Sequence, residues 1–291
     1  MNNQLKASAY AKKHRLMRLV IQPWKTLYPL IIQLFHLKKE IKALTFWGGN
    51  LNVILPESVS TQIWRYGFFE ADVSIFMINY LKEGMTFVDV GGHYGFFTLL
   101  GSYLVGDGGK VIAFEPTPST YFQLKKNISL YSPHLNVKAI ECAAYSENTL
   151  INFYDYGLEG SAHNSAFALR TAAGSYHNNM KEVVVQGKII DDLLKEMGVE
   201  GLDLIKIDAE SSELHVLNGM TNTIDTDKPN IIMEVGDSPD KNIPTSKEAI
   251  FWLQKRGYKV YEIDNYKIVP HVSLESYGHG NLFFSARDVT T

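Results

Sequence analysis

Three groups of residues in this chain have the types and spacing to do chemistry. The first is FVDVGGHYGFFT, residues 87–98, where Asp89, Gly91 and Gly95 give D-x-G-x-x-x-G. Glycine is needed where a backbone turns sharply and a ligand must approach without a β-carbon in the way. A helix starting at that turn offers open N–H groups to the ligand. The second is Glu115 in AFEP, about twenty residues further on, where a carboxylate can accept both hydroxyls of a ribose. The third is Asp208 and Glu210 in LIKIDAE, at the end of an apolar run. At i and i+2 they share one side if the backbone stays extended. One such carboxylate can take a proton from an alcohol as a new bond forms while the other positions the reactants. Glu234 and Asp237 in IIMEVGD belong to the same edge, and clustered like charges raise one another's pKa.

The glycine turn does not carry the dinucleotide pattern. G-x-G-x-x-G would place a glycine where this chain has His93, whose side chain would crowd a pyrophosphate. A carboxylate at Asp89 instead suits a ligand carrying an ammonium group. S-adenosylmethionine has one, with a carboxylate for the helix N–H groups and a sulfonium. On this reading the bend from Asp89 to Gly95, with Gly92 and His93 inside it, forms a single cradle with Glu115. Glu141, Cys142 and Ala143 end the next apolar run and should border the adenine. Cys142 reads as a small wall, since no neighbour in sequence would lower its pKa. Structural alternatives stand beside these readings. Glycine serves tight turns in general, and Asp208 could cap the following helix. A rival mechanism places Mg²⁺ on Asp208 with Glu234 or Asp237, although no compact ligand motif is present. His93, His163 and His215 are further candidate bases.

These residues need strands ending at one edge. TFVDV (86–90), KVIAFEP (110–116), NVKAIE (136–141), LDLIKID (202–208) and NIIMEV (230–235) are short apolar runs separated by helical stretches. That alternation predicts an α/β fold, doubly wound around a mostly parallel sheet. The helix after Pro116 is expected to be capped by Ser119 and to run through Tyr131. INFYDY (151–156) and KEVVVQGKI read as an antiparallel pair. Between them, residues 157–180 form a long loop expected to cover the acceptor, with Tyr154, Tyr156 and Phe167 available to stack on a ring. KVYEID (259–264) and NLFFSA (281–286) read as a terminal hairpin.

Of 291 residues, 45% are hydrophobic and one is cysteine, which excludes a disordered chain and an internal disulfide and points to a reducing, cytoplasmic setting. No apolar run reaches the roughly 18–20 residues of a membrane span. The opening MNNQLKASAY lacks the apolar core and cleavage site of a secretory signal. Residues 1–45 carry nine basic side chains against Glu40 alone, a net +8; the rest carries 19 basic and 30 acidic, or −11. The acidic body argues against nucleic acid as partner. The basic arm invites peripheral contact with anionic lipid at the inner membrane surface, or contact with a second copy. Within it Leu27, Leu30, Ile31 and Leu34 repeat at the spacing of one helix face. Such a stripe either lies in a lipid interface or packs on the body. The chain thus divides into a basic helical arm (1–45), a helical or irregular lead-in covering the cofactor site (46–84), and a main domain (85–291) with the inserted loop 157–180.

In chain order, GFFE (67–70), FVDVGGHYGFFT, EPTPSTYFQLKKNISL (115–130), GKIIDDLL (187–194), LIKIDAESSELHVLNG (205–219) and IIMEVGD (231–237) resemble the FkbM-type methyltransferases, a branch of the class I S-adenosylmethionine-dependent methyltransferases. The resemblance runs from about Gly67 to Phe284 and leaves the arm outside. It implies a seven-stranded-type, Rossmann-like methyltransferase fold, with S-adenosylmethionine as donor and S-adenosylhomocysteine as product. The acceptor is usually a hydroxyl of a sugar or polyketide-like product. It also implies cofactor contacts from Asp89, Gly91, Gly95 and Glu115, from Glu70 at the methionine end, and from Glu141 or the Ala143 backbone at the adenine. The chain departs from the family pattern at Gly92 (usually Ala), His93 (more often Asn) and Ser211 (Gly). The expectation is O-methylation of a saccharide, glycoconjugate or similar small hydroxylated metabolite. The alternatives are a metal-assisted O-methyltransferase and a non-catalytic adaptor docked through the arm.

Overall fold

The apolar runs are strands because each is covered on both sides, so a continuous Val/Ile/Leu sequence loses no solvent contact it needs. The computed structural model describes residues 22–167, 180–264 and 267–287. Helix α1 (Trp24–Leu34) leads into an antiparallel hairpin, β1 (Lys39–Leu44) and β2 (Asn50–Leu55), then α2 (Ser58–Tyr66) and α3 (Ala71–Tyr80). The alternating part follows as β3 (Thr86–Val90), α4 (Phe96–Val105), β4 (Lys110–Phe114), α5 (Pro118–Tyr131) and β5 (Val137–Ile140). A side sheet interrupts it with β6 (Ala143–Ala144), β7 (Thr149–Asp155) and β8 (Lys181–Lys188), and a 3-10 turn, Ser161–His163, lies between the last two. The chain continues through α6 (Ile190–Glu196), β9 (Leu204–Ile207), α7 (Glu213–Asn218), α8 (Thr221–Asp227), β10 (Asn230–Val235), α9 (Ser246–Gln254), β11 (Lys259–Asp264), β12 (Lys267–Pro270) and β13 (Gly280–Ser285).

The central sheet has the order β12-β11-β13-β10-β9-β3-β4-β5. Strands β10, β9, β3, β4 and β5 are parallel, and β13 enters antiparallel between β10 and β11. This is the expected α/β sheet with one strand added, β12. The expected terminal hairpin is corrected in detail. KVYEID and NLFFSA do pair, but β11 first turns back on β12, and β13 then inserts beside both β10 and β11. The pairing of β7 with β8 is antiparallel as expected.

The pleat sorts the core. Val88, Val90, Ile205 and Ile207 face Leu194, Val216 and Leu253 of α6, α7 and α9. Phe87, Leu204 and Ile232 face Phe97 and Leu100 of α4, Met77 of α3 and Leu51 of the hairpin. Helix α2 is capped by Glu57, whose carboxylate accepts from the backbone of Val59 and Ser60, and it ends at Gly67 in the left-handed conformation. Helix α9 begins with a reciprocal Thr245–Glu248 capping box. The start of α5 differs from expectation. Pro118 occupies its first turn after Thr117, so the helix is started by a fixed φ and not by a Ser119 cap.

Two further expectations change. The arm is not helical throughout. Residues 39–44 are a strand, so the division at 45/46 falls inside the β1–β2 hairpin, and residues 1–21 lie outside the described residues. Helix α1 packs on the body through Tyr28, Pro29 and Ile32, while the stripe Leu27, Leu30, Ile31 and Leu34 points to solvent. No helix among the described residues is long and apolar enough to cross a membrane.

Candidate functional site

A cavity of about 530 Å³ opens at the carboxyl ends of β3, β4, β9 and β10, within the usual range for ligand pockets. Its floor follows from strand register. Asp89 of β3 pairs with Lys206 of β9, and Lys206 with Ile232 of β10. Two residues on, the same face presents Gly91, Asp208 and Glu234 in a row. Gly91 has φ +80°, and a β-carbon there would overlap the Asp208 carbonyl oxygen. Glycine is required because two strand ends touch, before any ligand is considered.

Lys206 is 1% exposed, its ammonium 2.7 Å from Asp208 Oδ2 and 4.8 Å from the Phe97 ring centroid. Burial works against its charge, but Asp208, Glu70 and Asp89 outweigh that and hold its pKa above the ordinary lysine value. Ligand oxygens of Asp208, Glu210 and Glu234 all lie within 4.8 Å of one another. The pleat does not bring Glu210 there, since β9 stops at Ile207. A turn does, with Glu210 and Ser211 both left-handed (φ +49° and +78°) and Glu213 accepting from the Ala209 and Ser211 N–H groups. Asp208 takes Lys206 instead of capping α7, whose N-cap position is Ser212. His279 Nδ1 is 2.7 Å from Glu234 Oε1. Asp237 accepts the Ser246 and Tyr277 N–H groups and so clamps a loop.

On the opposite wall, His93 is left-handed (φ +47°) and its N–H donates to Glu115 Oε2 at 3.0 Å. The Thr117 N–H binds the other oxygen, Oε1, at 3.1 Å. Burial nevertheless pushes the Glu115 pKa up to about 7. Burial lowers that of His93, which keeps the imidazole neutral, and its Nε2 lies 2.8 Å from Ser161 Oγ. Tyr94 donates to the Leu158 carbonyl at 2.7 Å, holding the segment that carries Ser161 against the cavity. Glu70, at the start of α3 with φ +39°, accepts from Asn281 Nδ2 through Oε1, while Oε2 is buried without a partner among the described residues.

Of the residues expected at the site, Glu70, Gly91, Gly92, His93, Glu115, Cys142, Ala143, Asp208 and Glu210 line this one cavity, as do Glu234 and His163. Asp89 does not. It shares the pleat face of Lys206, is buried beneath the floor and accepts Thr98 Oγ1 at 2.6 Å. Asp89 thus lies beneath the cradle it was expected to form with Glu115, its Oδ1 buried without a partner among the described residues, while Glu70 lines the cavity together with Glu115. Gly95 starts α4 at φ +94° against Leu124 and stays behind the wall. Glu141 is exposed and outside the cavity, because the strand ends one residue before it. His215 does not line the cavity; it stacks at 4.2 Å on Tyr145, which does. Tyr154, Tyr156 and Phe167 do not line the cavity; Phe153 does, since β7 turns that face inward. The second half of the loop, residues 168–179, lies outside the described residues. Lys206 and Asn281 were not expected at the site. A lone lysine inside the apolar run LIKI is the signal for Lys206, since a buried lysine needs charge partners.

Residues 89–260 match the model of the methyltransferase FkbM domain. The chain belongs to the FkbM methyltransferase family. Among its relatives are methyltransferase sdnD of Sordaria araneosa (30% identical over 46% of this chain), the 31-O-demethyl-FK506 methyltransferase FkbM of Streptomyces tacrolimicus (29% over 62%) and the hexuronic acid methyltransferase AglP of Haloferax volcanii (29% over 56%). The chain spans 59, 75 and 62% of their respective lengths. The crystal structure of methyltransferase FkbM from Methylobacillus flagellatus KT aligns with a TM-score of 0.41 at 14% identity, covering 79% of this chain and 56% of that one. The cofactor of this FkbM-family chain is S-adenosylmethionine. The cavity fits it. Glu70, with its unpartnered oxygen, would hold the ammonium, and Glu115 would hold the ribose hydroxyls. The small side chains of Cys142, Ala143 and Ala144 leave room for the adenine, and burial pushes the Cys142 thiol up to about 12, too high for a nucleophile.

Proposed function

We propose that this chain methylates a hydroxyl of a saccharide, a glycoconjugate or a similar small hydroxylated metabolite. The observation that carries the reading is the meeting of Asp208, Glu210 and Glu234 in the cavity that also holds Glu70 and Glu115. The bound cofactor supplies an electrophilic methyl group on a sulfonium. The chain's part is to align the acceptor and take its proton, because an alcohol ionises only at high pH. Asp208 Oδ2 is committed to Lys206, so Asp208 is given the orienting role and Glu210 that of the base. Two relatives' names agree with a hydroxylated acceptor, one being a methyltransferase of hexuronic acid and one of 31-O-demethyl-FK506. A single buried cysteine suits work in the cytoplasm.

The test is incubation with isotopically labelled cofactor and a panel of glycolipids, sugar nucleotides and small hydroxylated metabolites, with the product located by mass spectrometry. A methyl ether is expected. Glu210→Gln should slow its formation by about 100-fold or more while leaving cofactor affinity within about twofold. A methyl group on nitrogen or carbon, or a Glu210→Gln variant as fast as wild type, would overturn the assignment.

A further inference from the structure

Helix α1 is apolar on two faces. One face is used up, with Tyr28 and Trp24 against Trp64 of α2 (ring centroids 5.7 and 5.4 Å apart) and Arg65 bonded to the Lys25 and Thr26 carbonyls. The other carries Leu27, Leu30, Ile31 and Leu34, which are 57, 53, 50 and 74% exposed, and Phe35 extends it at 66%. Their i, i+3, i+4, i+7 spacing makes one unbroken strip, which a protein surface facing only water does not ordinarily keep.

The charge around the strip decides what covers it. Lys38, Lys39 and Lys42 follow it and are exposed. Lys6, Lys12, Lys13, Arg15 and Arg18 precede it in sequence, with no acidic residue before Glu40. A second copy placed face to face would bring two such basic segments together, which is repulsive. A strip of leucines and an isoleucine ending at Phe35, with lysines beside it, matches an interface of acyl chains under anionic headgroups. We propose that α1 docks the protein onto an anionic lipid surface through Leu27, Leu30, Ile31 and Leu34.

The placement matters to the site. The opposite side of α2, through Val59, Gln62 and Ile63, lines the cavity, and Lys38 is bridged at 3.4 Å to Glu159, next to the Ser161–His163 wall. The docked helix therefore sits one element away from the mouth. The proposal does not depend on which acceptor is methylated.

The experiment is flotation of the full chain with phosphatidylcholine vesicles, with and without about 30 mol% phosphatidylglycerol. Binding is expected to be at least about tenfold stronger to the anionic vesicles and to weaken in about 0.5 M salt. The variant Leu30→Glu with Ile31→Glu should lose at least about tenfold of that binding, with cofactor affinity unchanged and a cooperative melt retained, since both side chains are half exposed and neither lines the cavity. Three results would overturn the proposal: no preference for anionic vesicles, undiminished binding by the variant, or a dimer in sedimentation that the variant dissolves.

Discussion

Ser211 and His93 occupy left-handed backbone at two of the positions where the family pattern has Gly and Asn, the residues that tolerate it. The departures cost backbone energy without removing a site group. Ser211 Oγ is also buried without a partner among the described residues. Ser211→Gly is expected to stabilise the protein by about 1 kcal/mol, a rise of about 2–4 °C in the melting temperature; an unchanged or lower value would show the turn to be unstrained. Glu115 predicts a pH dependence. Its folded pKa, about 7, lies above the ordinary 4.5, so protonation favours the fold. That contribution is full below about pH 4.5 and lost as pH rises through about 7. Ribose hydroxyls donate to the ionised form, so cofactor affinity should climb with pH and level off above about 7. Glu115→Gln should bind more weakly and with no such slope in calorimetry across about pH 6 to 8. Glu115 and Asp208 were legible in sequence because strand ends in open α/β sheets carry the chemistry; Glu210 reaches the cavity by a left-handed turn after β9 and not by the extended i, i+2 spacing expected of it. The depth of Asp89 was not legible. Every position of its five-residue strand is buried, so burial does not tell which residue on the cavity face stands at the floor and which beneath it.

Strands β3, β4, β9 and β10 could be read because their apolar runs end at glycine, proline or acidic residues. Strand β1 could not, since Lys39, Glu40 and Lys42 are exposed on a strand whose only fully buried residue is Ala43. Strand β12 is four residues ending in proline, too short for any period. The segment after β7 was read as a cover, and its described part is a wall, pinned by Tyr94 to Leu158, by Ser161 to His93 and by Asn164 Nδ2 to Thr117 Oγ1. Tyr94→Phe keeps the ring, stacked 4.0 Å from His93, and deletes two bonds, the donation to the Leu158 carbonyl and the acceptance from Ser161 Oγ. Losing about 1–2 kcal/mol there should speed amide exchange across 157–164 by about fivefold or more. Unchanged exchange in mass spectrometry would mean that the segment is held by the remaining bonds alone.

Across the whole molecule, the matched region 89–260 is smaller than the unit that makes the cavity. Glu70 comes from before it and Asn281 from after it, and the two bond to each other over the sheet edge at 3.0 Å. Strand β13 is also the inner neighbour of β10 and the outer partner of β11, so a chain cut before Gly280 would leave two half-sheets with open edges. Such a protein is expected to aggregate and to lose the cooperative melt of the full chain; a soluble, cooperatively melting product would refute this. The same position of β13 reaches into synthesis. On the ribosome, every other strand of the sheet emerges before the plank that joins them, so a nascent chain exposes the flank of β10 until residues 280–285 clear the exit tunnel, and its need for chaperones should be concentrated in that last interval.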